Sequence, residues 1–227
     1  MANSIVPQAI GSLVTDILAA LGVPGANTGG LVVGQAIDRL FSRRREMACE
    51  ILLDELRQGA KTIHDVAEVE ETVAITYRYL RAAHEGAARL NLRLMAKIIA
   101  GQAQLGNLVA DEFLYYADML ATLRREEVIL LAALFRNMNE RKARSPNEPE
   151  KPERAYQELE NALIPNVFCS RDDMFASAAS AMRTGLLRLA PESFYQSDYP
   201  RPSPLLARIM QLASFEDALS QESTEKA

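Results

Sequence analysis

Between Val66 and Ile98 the chain repeats apolar residues at three- and four-residue steps: Val66, Val69, Val73, Tyr77, Leu80, Ala83, Ala87, Leu90, Leu94 and Ile98. That is the period of a helix with one apolar face. Continued to Leu105, it predicts a rod of about 40 residues and about 60 Å, at about 1.5 Å per residue. Gly86 and Gly101 fall inside it, each costing about 1 kcal/mol relative to Ala, and mark places for a bend, a break or a close helix crossing. A lone helix cannot bury such a seam. The Val66 to Leu105 face is therefore expected to pair with a second copy of the chain or with a protein partner.

The rest of the chain also reads as helix. Aromatic residues make up 6% and Trp is absent, while Ala, Leu, Arg and Glu are abundant, which favours helix over a β-rich fold. Gln8 to Leu21 is a short amphipathic helix stopped by Gly22-Val23-Pro24-Gly25. Leu31 to Gln58 is a second, with Gly59 at its C′ position, and Thr62 with Asp65 marks a fresh start. Leu108 to Leu120 comes next, and Thr122 is placed to cap the helix after it, which carries Val128, Leu131, Leu134, Phe135 and Met138.

Composition then shifts. Arg144 to Arg154 holds three prolines and no apolar residue apart from them, and reads as a solvated linker. The expected organisation is a helical region over 1–143, the linker over 144–154, a module over 155–215 and a disordered tail over 216–227. In the last third, a helix from Arg154 to Leu163 precedes Pro165. Ser170 and Asp173 cap a helix from Arg171 to Thr184 that Gly185 closes, and Ser203 with Pro204 starts a final helix. Leu186–Leu189 and Ser193–Tyr199 can pair as a short β-hairpin. Helices succeeded by a hairpin and a helix resemble a winged-helix module whose first helix is Arg124 to Asn139. The fold class is thus mainly α: a helical bundle with one very long helix plus a small winged-helix-like part.

A DNA reader of this type would use Arg171, Arg183 and Arg188. Asp172 and Asp173 stand at the helix start where base contact occurs, however, and would repel phosphate. The net charge of −5 also argues against a surface that grips nucleic acid throughout. A second alternative is a membrane surface contacted by residues 5–41, with Arg43, Arg44 and Arg45 beyond them. The simpler use of that apolar face is packing on the long helix.

Candidate chemistry is sparse. Cys49 and Cys169 are far apart and outside any CxxC pair, so neither a disulfide framework nor a zinc knuckle is expected, and a reducing cytoplasm is the natural compartment. The amino terminus lacks a basic n-region, and no uncharged apolar run reaches the ~18–20 residues that span a bilayer. His64 and Glu68 lie one helical turn apart without a third ligand, and His84 stands alone. There is no E-x-x-H pair, nucleophile elbow, P-loop or dinucleotide fingerprint. Neither catalytic, cofactor nor metal residues are assigned, and no small-molecule substrate is identified.

Gly29-Gly30-Leu31-Val32-Val33-Gly34 running into Ser42-Arg43-Arg44-Arg45, then a helical body and Leu186-Leu187-Arg188-Leu189, resembles bacterial and phage-related helical proteins of the abortive-infection alpha-like type. The resemblance is spread over most of the chain. It implies a role in phage–host conflict and brings no catalytic residues with it. The function expected is that of a non-enzymatic interaction or regulatory protein.

Overall fold

A computed structural model describes residues 31–59, 69–106, 108–144, 152–189 and 199–225. These are mainly α-helical, with one two-stranded sheet among the described residues. The chain divides into two compact units, residues 1–121 and 122–227. The helix expected at Gln8 to Leu21, the start at Thr62, and the His64–Glu68 pair lie outside the described residues.

The first unit contains α1 (Leu31–Gly59), α2 (Val69–Glu85), α3 (Arg89–Gln104) and α4 (Ala110–Leu120). The single rod expected from Val66 to Leu105 does not form; it is two helices, α2 and α3, joined at Gly86. Gly86 has φ +98°, a left-handed conformation that disfavours any residue with a Cβ. Its N–H donates to the Ala83 carbonyl at 3.2 Å, and the next N–H, of Ala87, donates to Ala82 at 2.9 Å. This pair of bonds is a Schellman stop, which satisfies the last carbonyls of α2. The longest described helix is instead α1, at 29 residues.

The turn brings α3 into the middle of the unit, where α1, α2 and α4 all pack on it. Leu90, Leu92, Leu94, Met95, Ile98 and Ile99 are buried, and Arg93, Ala96 and Ala100 are buried on the remaining side, so α3 is enclosed nearly all round. Polar side chains on so enclosed a helix need partners. Asn91 Nδ2 donates to the Ala121 carbonyl at 3.1 Å, Gln102 Nε2 to Glu112 at 3.1 Å, and Lys97 Nζ to Glu55 of α1 at 2.9 Å. Tyr79 Oη donates to the Ala48 carbonyl at 2.9 Å, tying α2 to α1, and burial pushes its phenol well above the ordinary tyrosine range. Glu71 of α2 accepts from the Ala110 N–H and caps α4.

The second unit contains α5 (Arg125–Arg144), α6 (Pro152–Leu163), α7 (Arg171–Arg183), β1 (Leu187–Arg188), β2 (Arg201–Pro202), α8 (Pro204–Leu212) and α9 (Phe215–Glu225). Helix α5 is its hub, packing against α6, α7, α9 and β2. It lies before the proline-rich stretch yet belongs with the elements after it, so the division falls between Ala121 and Thr122 rather than at 144–154. Residues 145–151 of that stretch are outside the described residues. At the start of α5 the Glu127 carboxylate accepts the Arg124 N–H at 2.9 Å.

Two strands do pair antiparallel, with Leu187 opposite Pro202 and Arg188 opposite Arg201. The second strand therefore lies later than the expected Ser193–Tyr199, of which 193–198 are outside the described residues. Ser170 and Ser203 cap α7 and α8 as expected, accepting from Asp173 N–H at 3.2 Å and Leu206 N–H at 3.1 Å. The tail expected to be disordered over 216–227 is instead helix α9 as far as Glu225. Phe215 and Ala218 are buried, and the Glu222 carboxylate, itself buried, accepts from Arg125 Nε at 3.1 Å. The local signal for this helix is Ser214, whose Oγ accepts the Asp217 N–H at 3.2 Å as a cap.

Two substitutions check the first unit. Gly86→Ala is expected to lower unfolding free energy by about 1–2 kcal/mol in urea denaturation, through the left-handed backbone. The new Cβ would also meet Arg44 Nη1 at 2.8 Å, a flexible end that can move aside. Lys97→Met strands the buried Glu55 carboxylate and is expected to cost about 2–4 kcal/mol, most of it recovered when Glu55→Leu is added. A double variant as unstable as the single one would refute that account.

Candidate functional site

Helix α7 comes third in the order α5–α6–α7–β1–β2, where the expected winged-helix arrangement would put its recognition helix, and its arginines meet different fates. Arg171 is committed within the unit. Its Nε pairs with Glu160 of α6 at 2.7 Å, its Nη2 donates to Tyr199 Oη at 2.9 Å, and its guanidinium carbon lies 5.4 Å from the centre of the Phe175 ring. Beneath it Tyr156 stacks on Phe175 at 5.2 Å, and Tyr199 packs on both rings. Arg171 thus links α6, α7 and the approach to β2. Beside it Asp172 and Asp173 are exposed, leaving negative charge at the start of α7.

Arg183, at the other end of α7, is exposed and donates to Ser180 Oγ at 3.0 Å. Among the described residues it pairs with no carboxylate. It lines a cavity of about 410 Å³ together with Ser180 and Thr184 of the same helix end. Thr122, Leu123, Arg124 and Glu127, at the approach to α5, close the other side. Glu127 is 3% exposed, and its second carboxylate oxygen lies 3.4 Å from Arg124 Nη2. One carboxylate therefore fixes both the backbone and the guanidinium of Arg124 at the cavity wall. Arg188 stands apart from the cavity lining, exposed on β1 opposite Arg201.

The structure thus brings Arg183 together with Arg124, which the sequence pattern does not single out, and separates both from Arg171. The pairing arises from packing of α5 against α7, and no local motif encodes it.

In the first unit, Arg43, Arg44 and Arg45 do not form one exposed stripe. Arg43 is exposed, while Arg44 and Arg45 are half-buried, with Arg44 lying against the Gly86 turn. Phe41 stacks on His84 at 4.0 Å, which gives that histidine a packing role at the same turn. Cys49 is half-buried beside the α1 stripe, and burial pushes its thiol up, away from a reactive thiolate. Cys169 is exposed. Among the described residues no group of three or more His, Cys, Asp or Glu is placed to hold a metal ion. Among the same residues no helix is long and apolar enough to cross a membrane.

Apolar side chains left outside the cores include Val73 and Tyr77 of α2, at 38% and 48% exposed. They belong to the apolar seam and stay uncovered, as does Leu105 at 75% exposed, whereas Leu80, Ala83, Leu90, Leu94 and Ile98 are buried within the unit. Glu70 and Arg81 continue the same exposed face on either side.

No family model, curated protein or solved structure matches this chain.

The aromatic cluster under Arg171 yields a stability test. Tyr156 is fully buried, and among the described residues its hydroxyl has no hydrogen-bond partner. Tyr156→Phe is expected to leave thermal stability unchanged or raise it by up to about 1 kcal/mol, because the ring stacking survives and an unsatisfied polar atom is removed. A loss of about 1 kcal/mol or more would show that the hydroxyl is bonded.

Proposed function

We propose that this chain is a non-enzymatic cytoplasmic interaction protein that self-associates through the exposed face of α2. The observation that carries the reading is the pair Val73 and Tyr77, one turn apart and solvent-exposed on a helix that buries Ile75, Tyr79, Leu80, Ala82 and Ala83. The face is self-complementary in charge as well. Glu70 precedes the apolar pair and Arg81 succeeds it, each four residues or fewer away. An antiparallel two-fold pairing about the middle of this face sets Glu70 of one copy beside Arg81 of the other, with Tyr77 over Val73. Arg81 Nε is held by Glu85 at 2.7 Å, which leaves its other guanidinium nitrogens for the second copy.

The resemblance of the Gly29–Gly34 and Arg43–Arg45 segments to abortive-infection alpha-like proteins supports a setting in phage–host conflict, where a small helical protein would act by binding. The alternative of a DNA-binding winged-helix regulator draws support from the order α5–α6–α7–β1–β2 and from Arg183 and Arg188. It is weakened by the commitment of Arg171 to Glu160 and Tyr199.

Sedimentation equilibrium over a wide concentration range tests the leading reading. Wild type is expected to dimerise, and Tyr77→Asp to raise the dissociation constant at least about tenfold. Glu70→Arg and Arg81→Glu should each weaken the dimer, and the two together should restore it. A wild-type chain that stays monomeric at every concentration overturns the proposal.

A further inference from the structure

We infer that the cavity between the approach to α5 and the end of α7 is an oxyanion site that takes the phosphate group of a small ligand. Its wall presents two guanidiniums, Arg124 and Arg183, against a single carboxylate, Glu127. That carboxylate is already engaged by the Arg124 N–H at 2.9 Å and the Arg124 guanidinium at 3.4 Å. The remaining charge in the cavity is positive. Both cations are also held in place before any ligand arrives, Arg124 by Glu127 and Arg183 by Ser180 Oγ at 3.0 Å. Preorganisation of this kind lowers the ordering cost of binding.

The donors favour a tetrahedral oxyanion over a carboxylate. One arginine fork satisfies a carboxylate by itself, whereas a phosphate has oxygens enough for both guanidiniums. Ser180 accepts from Arg183 and keeps its own hydroxyl proton to donate to a third oxygen. The excess charge of the lining is positive, so capture of an anion there is sensitive to salt. The volume of about 410 Å³ suits a small phosphorylated molecule. The face of α7 that a duplex would approach carries Asp172 and Asp173 instead.

The test is calorimetric titration of the full chain with inorganic phosphate at low ionic strength. Saturable binding with a dissociation constant of about 1 mM or below is expected. Arg183→Gln and Arg124→Gln should each weaken it about tenfold. Arg188→Gln, outside the cavity lining, should leave it unchanged, as should Tyr77→Asp on the other unit. Absence of saturable binding, or variants that bind like wild type, overturns the proposal. A parallel titration with a short DNA duplex separates the two sources of phosphate. Duplex binding that inorganic phosphate displaces and Arg183→Gln abolishes would assign the site to a nucleic-acid backbone and overturn the small-ligand reading; a duplex that does not compete supports it.

Discussion

The left-handed backbone at Gly86 decides how the first unit buries its apolar surface. Without that stop, α2 and α3 would continue as one rod, and its seam would need another molecule along its whole length. With it, the chain turns back, and α3 becomes a central helix enclosed by α1, α2 and α4. Enclosure then imposes the polar pairings: Lys97 with Glu55, Asn91 with the Ala121 carbonyl, and Gln102 with Glu112. Each would be a routine solvated side chain on an exposed rod. In a buried helix an unpaired one would cost more than its hydrogen bond gains. Phe41, His84 and Arg44 gather at the same turn, so the fold-back is also where α1 is registered against the α2–α3 pair.

Helical character, the extent of α1, and the caps at Ser170 and Ser203 are legible in the sequence because each depends on residues within one or two turns. The rod misleads for a related reason. Three- and four-residue spacing runs unbroken through Gly86, and periodicity is silent on which way the chain goes next. A glycine at C′ differs from a glycine inside a helix in its left-handed φ and in the bonds its neighbours make, here Ala87 to Ala82, and neither shows in the spacing. The tail misleads through composition. Ser220 to Ala227 is polar, but Phe215 and Ala218 anchor the segment just before it, and the cap at Ser214 begins it.

The candidate site is less legible than the fold. Arg183 can be picked out as a cation on the α7 segment, but its neighbour Arg124 lies 59 residues earlier in the chain and meets it only through packing of α5 on α7. Arg171 shows the converse. Sequence offers it as a phosphate ligand, whereas the structure commits its donors to Glu160 and Tyr199 and its face to Phe175. Whether an arginine is available for a ligand depends on which carboxylates and rings the fold brings to it, a non-local property. A winged-helix-like order of elements therefore says little about nucleic acid until each cation has been traced to its partners.

The exposed face of α2 and the cavity of the second unit differ in the physics that would drive binding. On α2 the exposed material is apolar with charges at its ends, so the proposed association would rest on burying Val73 and Tyr77, with Glu70 and Arg81 to fix register. In the cavity Arg124 and Arg183 outweigh the single carboxylate of Glu127, so anion binding there would rest on charge that salt screens. Raising ionic strength should therefore separate them, leaving α2 pairing largely intact while releasing an anion from Arg124 and Arg183. Because each surface is built wholly from residues of one unit, neither needs the other to form, and substitution can address the two proposed bindings one at a time.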